Sequence, residues 1–144
     1  MAGETNAASG HRTAPHTADL RIEAWAPTRE GCVAEAVAGL VDAFADRAGV
    51  PPLGVRETEI GPAADADLLV AALDEVIYRL DAAGELVLAA DVTANDGDRL
   101  RLRLTVGDAR RAEATGAVPK AVSLHSLRLA EENGTWACLV TVDV

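Results

Sequence analysis

Leu20, Ile22 and Ala24 alternate with Arg21, Glu23 and Trp25, the two-residue period of a strand with one apolar face, read over Thr17 to Trp25 and stopped by Pro27. The period then lengthens. Thr28 is placed to cap a helix, and Val33, Val37, Leu40, Val41 and Phe44 fall on one side of it, predicting a helix to about Arg47. Gly49, Pro51, Pro52 and Gly54 break the pattern, and Val55 to Ile60 reads as a short second strand ended by Gly61-Pro62. Leu69, Ala72, Leu73, Val76, Ile77 and Leu80 form a longer helical stripe, with Asp65 or Asp67 as its cap and Gly84 where a left-handed C-terminal residue belongs. Past Gly84 the period returns to two: strands over Leu86 to Val92, Arg99 to Val106, Ala121 to Leu129 and Thr135 to Val144, the first two joined at Asn95-Asp96-Gly97. The predicted order is β-α-β-α-β-β-β-β. That is an α+β fold: a single two-layer domain with two helices on one face of a mainly antiparallel sheet.

Composition narrows this picture. At 144 residues the chain has the size of one domain, and with 49% hydrophobic but only 3% aromatic residues its core must be built from Val, Leu, Ile and Ala. Residues 1–14, polar and rich in small side chains, read as a disordered tail rather than a secretory signal, leaving 15–144 as the folded domain. No stretch is long and apolar enough to span a bilayer, so no membrane partner is expected. Thirteen Lys and Arg against 23 Asp and Glu give a net charge of −10, which argues against a general electrostatic hold on nucleic acid. Cys32 and Cys138 are too few and too distant in sequence for a disulfide framework or a zinc pair, and a reducing, cytoplasmic location is expected.

Candidate chemistry concentrates at the two ends of the folded part. Asp19 lies in the first predicted strand, Asp143 in the last, and Val144 adds an α-carboxylate. If those strands are neighbours, three hard oxygen groups converge in a set suited to Ca²⁺, Mg²⁺ or Mn²⁺, whose charge would offset their mutual repulsion. The alternative is a turn-capping Asp19 and a solvated Asp143. His16 fits a further ligand, a partner orienting Asp19, or a surface histidine at a strand entry. Lys120 fits a contact with the acidic cluster, a phosphate or carboxylate of a partner, or plain solvation. His125 reads as a histidine turned into the sheet, and Arg99, Arg101 and Arg103 as the solvated face of a hairpin. The chain lacks a Gly-rich phosphate loop, a Gly-x-Ser-x-Gly elbow and a recognisable Cys-His pairing, so catalysis is not expected.

Four segments in order resemble the archease family: His16-Thr17-Ala18-Asp19-Leu20, the helix around Leu68 to Tyr78, Lys120-Ala121-Val122-Ser123-Leu124-His125, and the ending Val142-Asp143-Val144. The chain departs from the family pattern at Arg21, where a glycine is common, at Leu124, where an aromatic is usual, and in its low aromatic content. The resemblance implies a cofactor protein for an RtcB-type RNA ligase. Such a protein promotes the ligase's guanylylation and multiple turnover in tRNA splicing or RNA repair, and meets RNA only through the ligase. It also implies a divalent ion, calcium foremost, held by Asp19 and the C-terminal Asp143 and Val144; His16, Lys120 and His125 are candidates for orienting those ligands or contacting a partner. The alternative attached to the family is a chaperone-like adaptor for a tRNA-modifying enzyme such as a methyltransferase. A metal-dependent phosphohydrolase using Asp19, His16 and Asp143 is the reading from the enzyme class.

Overall fold

The computed structural model describes residues 8–16 and 19–144, with the backbone alone for Pro15 and His16. Strands β1 (Gly10–His16) and β2 (Asp19–Ala26) lead into helix α1 (Arg29–Asp42), a two-residue strand β3 (Ala45–Asp46), β4 (Pro52–Ile60) and helix α2 (Asp65–Ala83). There follow β5 (Glu85–Asp96), β6 (Arg99–Asp108), a 3₁₀ turn (Ala109–Arg111), β7 (Glu113–Ala114), β8 (Ala121–Glu132) and β9 (Thr135–Asp143). The strands form a four-stranded sheet in the order β1-β2-β9-β8, a three-stranded sheet β4-β6-β5, and the small pair β3-β7. All of these pairings are antiparallel. Helix α1 packs on β2 and β5, and α2 on β8 and β5, so the helices cover both larger sheets.

The alternation read in the sequence decides which side chains enter the core. Leu20, Ile22, Ala24 and Ala26 of β2, and Cys138, Val140 and Val142 of β9, point inward to meet Val33, Val37, Leu40 and Val41 of α1. Leu100, Leu102, Leu104 and Val106 do the same from β6, the central strand of its sheet. Thr28 caps α1 as expected, its Oγ1 accepting from Gly31 N at 3.0 Å. Gly84 ends α2 with φ +65°, a conformation glycine adopts without a Cβ penalty.

Several expectations are corrected. Gly10 to Ala14, assigned to the tail, belong to β1, an edge strand paired with β2; residues 1–7 lie outside the described residues. Helix α1 ends at Asp42, five residues early. Phe44 and Ala45 turn into the core, Ala45–Asp46 pairs with β7, and Arg47 closes the corner by donating to Asp42 and to the Leu88 carbonyl. Neither Asp65 nor Asp67 caps α2: its cap residue is Ala64, and Asp65 instead accepts from Arg29 at 2.9 Å. The hairpin between β5 and β6 turns after Asp96, at residues 97 and 98.

Candidate metal centre and its cleft

Strand β9 lies between β2 and β8, and this order brings the ends of the folded chain together. In the antiparallel register Asp143 stands directly opposite Asp19, and Thr141 opposite Arg21. Both aspartates alternate with the inward residues Leu20 and Val142, which places them on the outer face of the sheet. Directly opposed side chains in such a pair have Cβ atoms about 5 Å apart, and like charges there are destabilising unless something offsets them. On the other side of β9, Asp143 faces Ala121, and its carbonyl accepts from Lys120 N at 2.8 Å. Three of the four motif segments, the first far in sequence from the other two, therefore meet at one end of one sheet.

The third segment does not continue as a regular strand. Between Leu139↔Arg128 and Thr141↔Ser123 the β8-β9 register shifts, so that Leu124 to Leu127 lie across from Val140 alone. Ser126 takes φ +58° within this bulge, and Ser123 Oγ accepts from His125 N at 3.2 Å. Bulges bend a strand and re-aim its side chains. Here the bulge leaves Leu124 70% exposed and His125 exposed as well. The reading of His125 as a core histidine is thereby corrected: it lines a cleft of about 390 Å³ with Asp19, Arg21, Ser123, Ser126, Thr141 and Asp143.

Asp19 also borders a second hollow of about 230 Å³, shared with Thr13, Gly116, Ala117 and Val144. Val144 packs its side chain against the core, the phase expected one residue past Asp143. Asp19 is thus the link between the Asp143 side and the Val144 side. The His16 backbone pairs with Asp19 across β1 and β2, whereas the His16 side chain and residues Thr17 and Ala18 lie outside the described residues.

Among the described residues no three His, Cys, Asp or Glu side chains form a group that could hold a metal ion. What the chain supplies is two opposed carboxylates, hard oxygen donors whose repulsion a cation would relieve. That donor set fits a half-site for Ca²⁺, Mg²⁺ or Mn²⁺, which take further oxygen ligands from water or a partner.

The second motif segment has another role. Leu68, Leu69, Ala72, Leu73 and Val76 are buried core of α2, and Glu75 holds Arg79 at 2.7 Å. Burial pushes the Asp74 carboxyl above its ordinary value. The arginines of β6 are paired as well: Arg103 donates to Glu57 at 2.8 Å, with Arg101 near Glu57 and Arg99 near Glu59. Their face is a charge ladder rather than a phosphate site.

Three features escaped the reading of the sequence. Cys32 and Cys138 meet in the core, where hydrogen bonding to Cys138 and burial push the Cys32 thiol well above its ordinary value. His11 of β1 sits between two carboxylates of α1, Glu35 at 2.9 Å and Asp42 at 3.3 Å. An apolar hollow of about 330 Å³ opens among Phe44, Ile77, Leu80, Leu86 and Val118, with Asp81 and Glu113 at its border. The first two join positions far apart in sequence, and the third is assembled from five elements. No local pattern announces any of them.

Comparison with known proteins finds relatives in sequence and in fold. Residues 11–144 match the model of the Archease protein family (MTH1598/TM1083). The chain is 46% identical over 144 residues to a probable protein archease of Mycobacterium tuberculosis, covering all of this chain and 80% of that one. It is 26% identical over 139 residues to the protein archease of Archaeoglobus fulgidus, covering 93% of this chain and 98% of that one. Its fold is similar to the solution structure of Methanobacterium thermoautotrophicum protein 1598 (TM-score 0.72, 23% identity, 94% of this chain and 99% of that one). It is also similar to the crystal structure of a Thermotoga maritima protein described as an archease, possible chaperone (TM-score 0.64, 18% identity, 92% and 96%).

Proposed function

The chain belongs to the archease family, and from that premise we propose that it is a non-catalytic cofactor of an RtcB-type RNA ligase, acting through a divalent ion at Asp19 and Asp143. The observation that carries this reading is the register that sets the two carboxylates opposite each other at the sheet's end. Asp19 and Asp143, with Val144 beside Asp19, hold part of the shell of a hard cation, calcium foremost, with magnesium or manganese as the other candidates. Ligands left open are filled by water or by the ligase. Lys120, tied through its backbone to Asp143, reaches toward the partner, and His125 and Leu124 on the bulge offer it an exposed edge. The ion would place positive charge where a phosphoryl group is being transferred to the ligase, the step at which charge stabilisation contributes most. RNA is met only through the ligase, in keeping with the net charge of −10 and the paired arginines of β6.

Pre-steady-state guanylylation of a cognate ligase tests this. The rate rises when the full chain is added and falls back toward the unassisted rate with Asp19→Ala. Equal acceleration by that variant rejects the metal half of the proposal, and no acceleration by the unaltered chain rejects the whole.

A second reading, an adaptor that shields a tRNA-modifying enzyme such as a methyltransferase, draws on the hollow among Phe44, Ile77, Leu80 and Val118. Co-purification with a methyltransferase and not with a ligase would favour it.

A further inference from the structure

Most cations of this acidic chain are already engaged: Arg12 with Glu23, Arg29 with Asp65, Arg47 with Asp42, Arg56 with Glu85 and Arg110 with Asp108, besides those of α2, β6 and β8. Arg21 is different. Among the described residues it forms no ion pair or side-chain hydrogen bond, although it lines the cleft that holds Asp19 and Asp143.

The pairing of the strands sets these groups out as two rows on the outer face. The first row runs Asp19, Asp143 and Ala121 across β2, β9 and β8; the second runs Arg21, Thr141 and Ser123. Two residues along a strand separate the rows by about 7 Å. That is the spacing at which a cation on the first row and an anion on the second share an oxygen between them. The second row is rich in donors. Ser123 Oγ accepts from His125 N, so its own hydroxyl hydrogen remains to donate outward, and Thr141 and Ser126 add two more hydroxyls. The bulge brings the His125 ring to the same cleft. A guanidinium with hydroxyl groups around it matches a phosphoryl group, which accepts several hydrogen bonds at once.

We propose that Arg21, with Thr141, Ser123 and His125, forms a phosphoryl subsite beside the Asp19–Asp143 row, so that the cleft takes a phosphate together with its divalent cation. The inference rests on the metal reading of the first row, and its test separates the two. The ligand chemistry is a metal-bound phosphate, supplied by a nucleotide or by the phosphorylated end of an RNA.

Calorimetric titration of the full chain with pyrophosphate, with and without Mn²⁺, provides the test. Pyrophosphate binds more tightly with Mn²⁺ present, and Arg21→Ala weakens it about tenfold or more while leaving Mn²⁺ binding in place. Arg21→Lys, which keeps the charge but loses the planar fork, falls between the two. Because Arg21 is exposed, both variants should melt close to the unaltered chain, and His125→Ala on the bulge provides an independent second loss. Mn²⁺ binding with pyrophosphate affinity indifferent to Arg21 overturns this inference and leaves the metal reading standing. Arg21-dependent pyrophosphate binding with no Mn²⁺ binding keeps the anion site and overturns the metal reading. Competition by GTP identifies a nucleotide source, and competition by a short RNA with a 3′-phosphate, but not by one with a 3′-hydroxyl, identifies an RNA end.

Discussion

In the proposed function Asp143 and Asp19 carry the ion, and their chemistry comes from position alone. Each is an ordinary carboxylate at the end of a strand, one beginning β2 and the other closing β9, until the register places them opposite one another. A directly opposed like-charge pair costs stability on the order of 0.2–1 kcal/mol. Asp143→Asn should therefore raise the melting temperature of the metal-free protein by ~1–3 °C, given how such energies convert for a domain of this length. Addition of Ca²⁺ should then raise the melting temperature of the unaltered chain and leave the variant unmoved. Thermal melts with chelator and with Ca²⁺ read both effects, and a variant that melts below the unaltered chain in chelator would show that Asp143 has a purely structural partner. The two aspartates are legible in the sequence as carboxylates in the first and last predicted strands, which form one end of a sheet if those strands are neighbours. His125 is not legible in the same way, because its exposure depends on a register shift that leaves no mark in the apolar-polar pattern.

At the scale of elements, that shift places a non-glycine residue of the candidate site in the left-handed region. Ser126 holds φ +58°, and a β-branched residue in this region is disfavoured by roughly 1–2 kcal/mol. Ser126→Val is expected to lower stability by about that amount in a urea melt, whereas Ser126→Gly keeps or improves it. If valine has no effect, the bulge is not held in this conformation. The regular elements were legible for a plain reason: Val33, Val37, Leu40 and Val41 on α1, and Leu100, Leu102, Leu104 and Val106 on β6, face one core with one period. The elements that escaped have no such period. β1 is an edge strand that includes Pro15, which an edge tolerates and a central strand does not, and β3 and β7 are two residues each, too short to show alternation. The end of α1 was misplaced because Phe44 and Ala45 are as buried as the helix's own apolar face, so the pattern runs on while the backbone turns.

For the molecule as a whole, the strand order β1-β2-β9-β8 is what gathers scattered motifs into a candidate site. Alternation says which face of a strand is buried; it does not say which strands are neighbours, and here the last strand inserts between the second and the eighth. The helices and the second sheet serve as support, with α1 and α2 packed across both sheets and Leu68, Leu69, Ala72, Leu73 and Val76 of the second motif segment spent on core rather than chemistry. The chain is acidic overall, and its arginines are mostly neutralised by neighbours; in the cleft at the end of the four-stranded sheet, opposed carboxylates lie beside Arg21, a guanidinium without an ion pair among the described residues. The central claim, that Asp19 and Asp143 form one half of a divalent-ion site, is tested most directly by titrating the full chain with Mn²⁺ and following the free ion by electron paramagnetic resonance. One ion should bind per chain, and Asp19→Asn and Asp143→Asn should each weaken it by about tenfold or more; binding that both variants leave unchanged would contradict it.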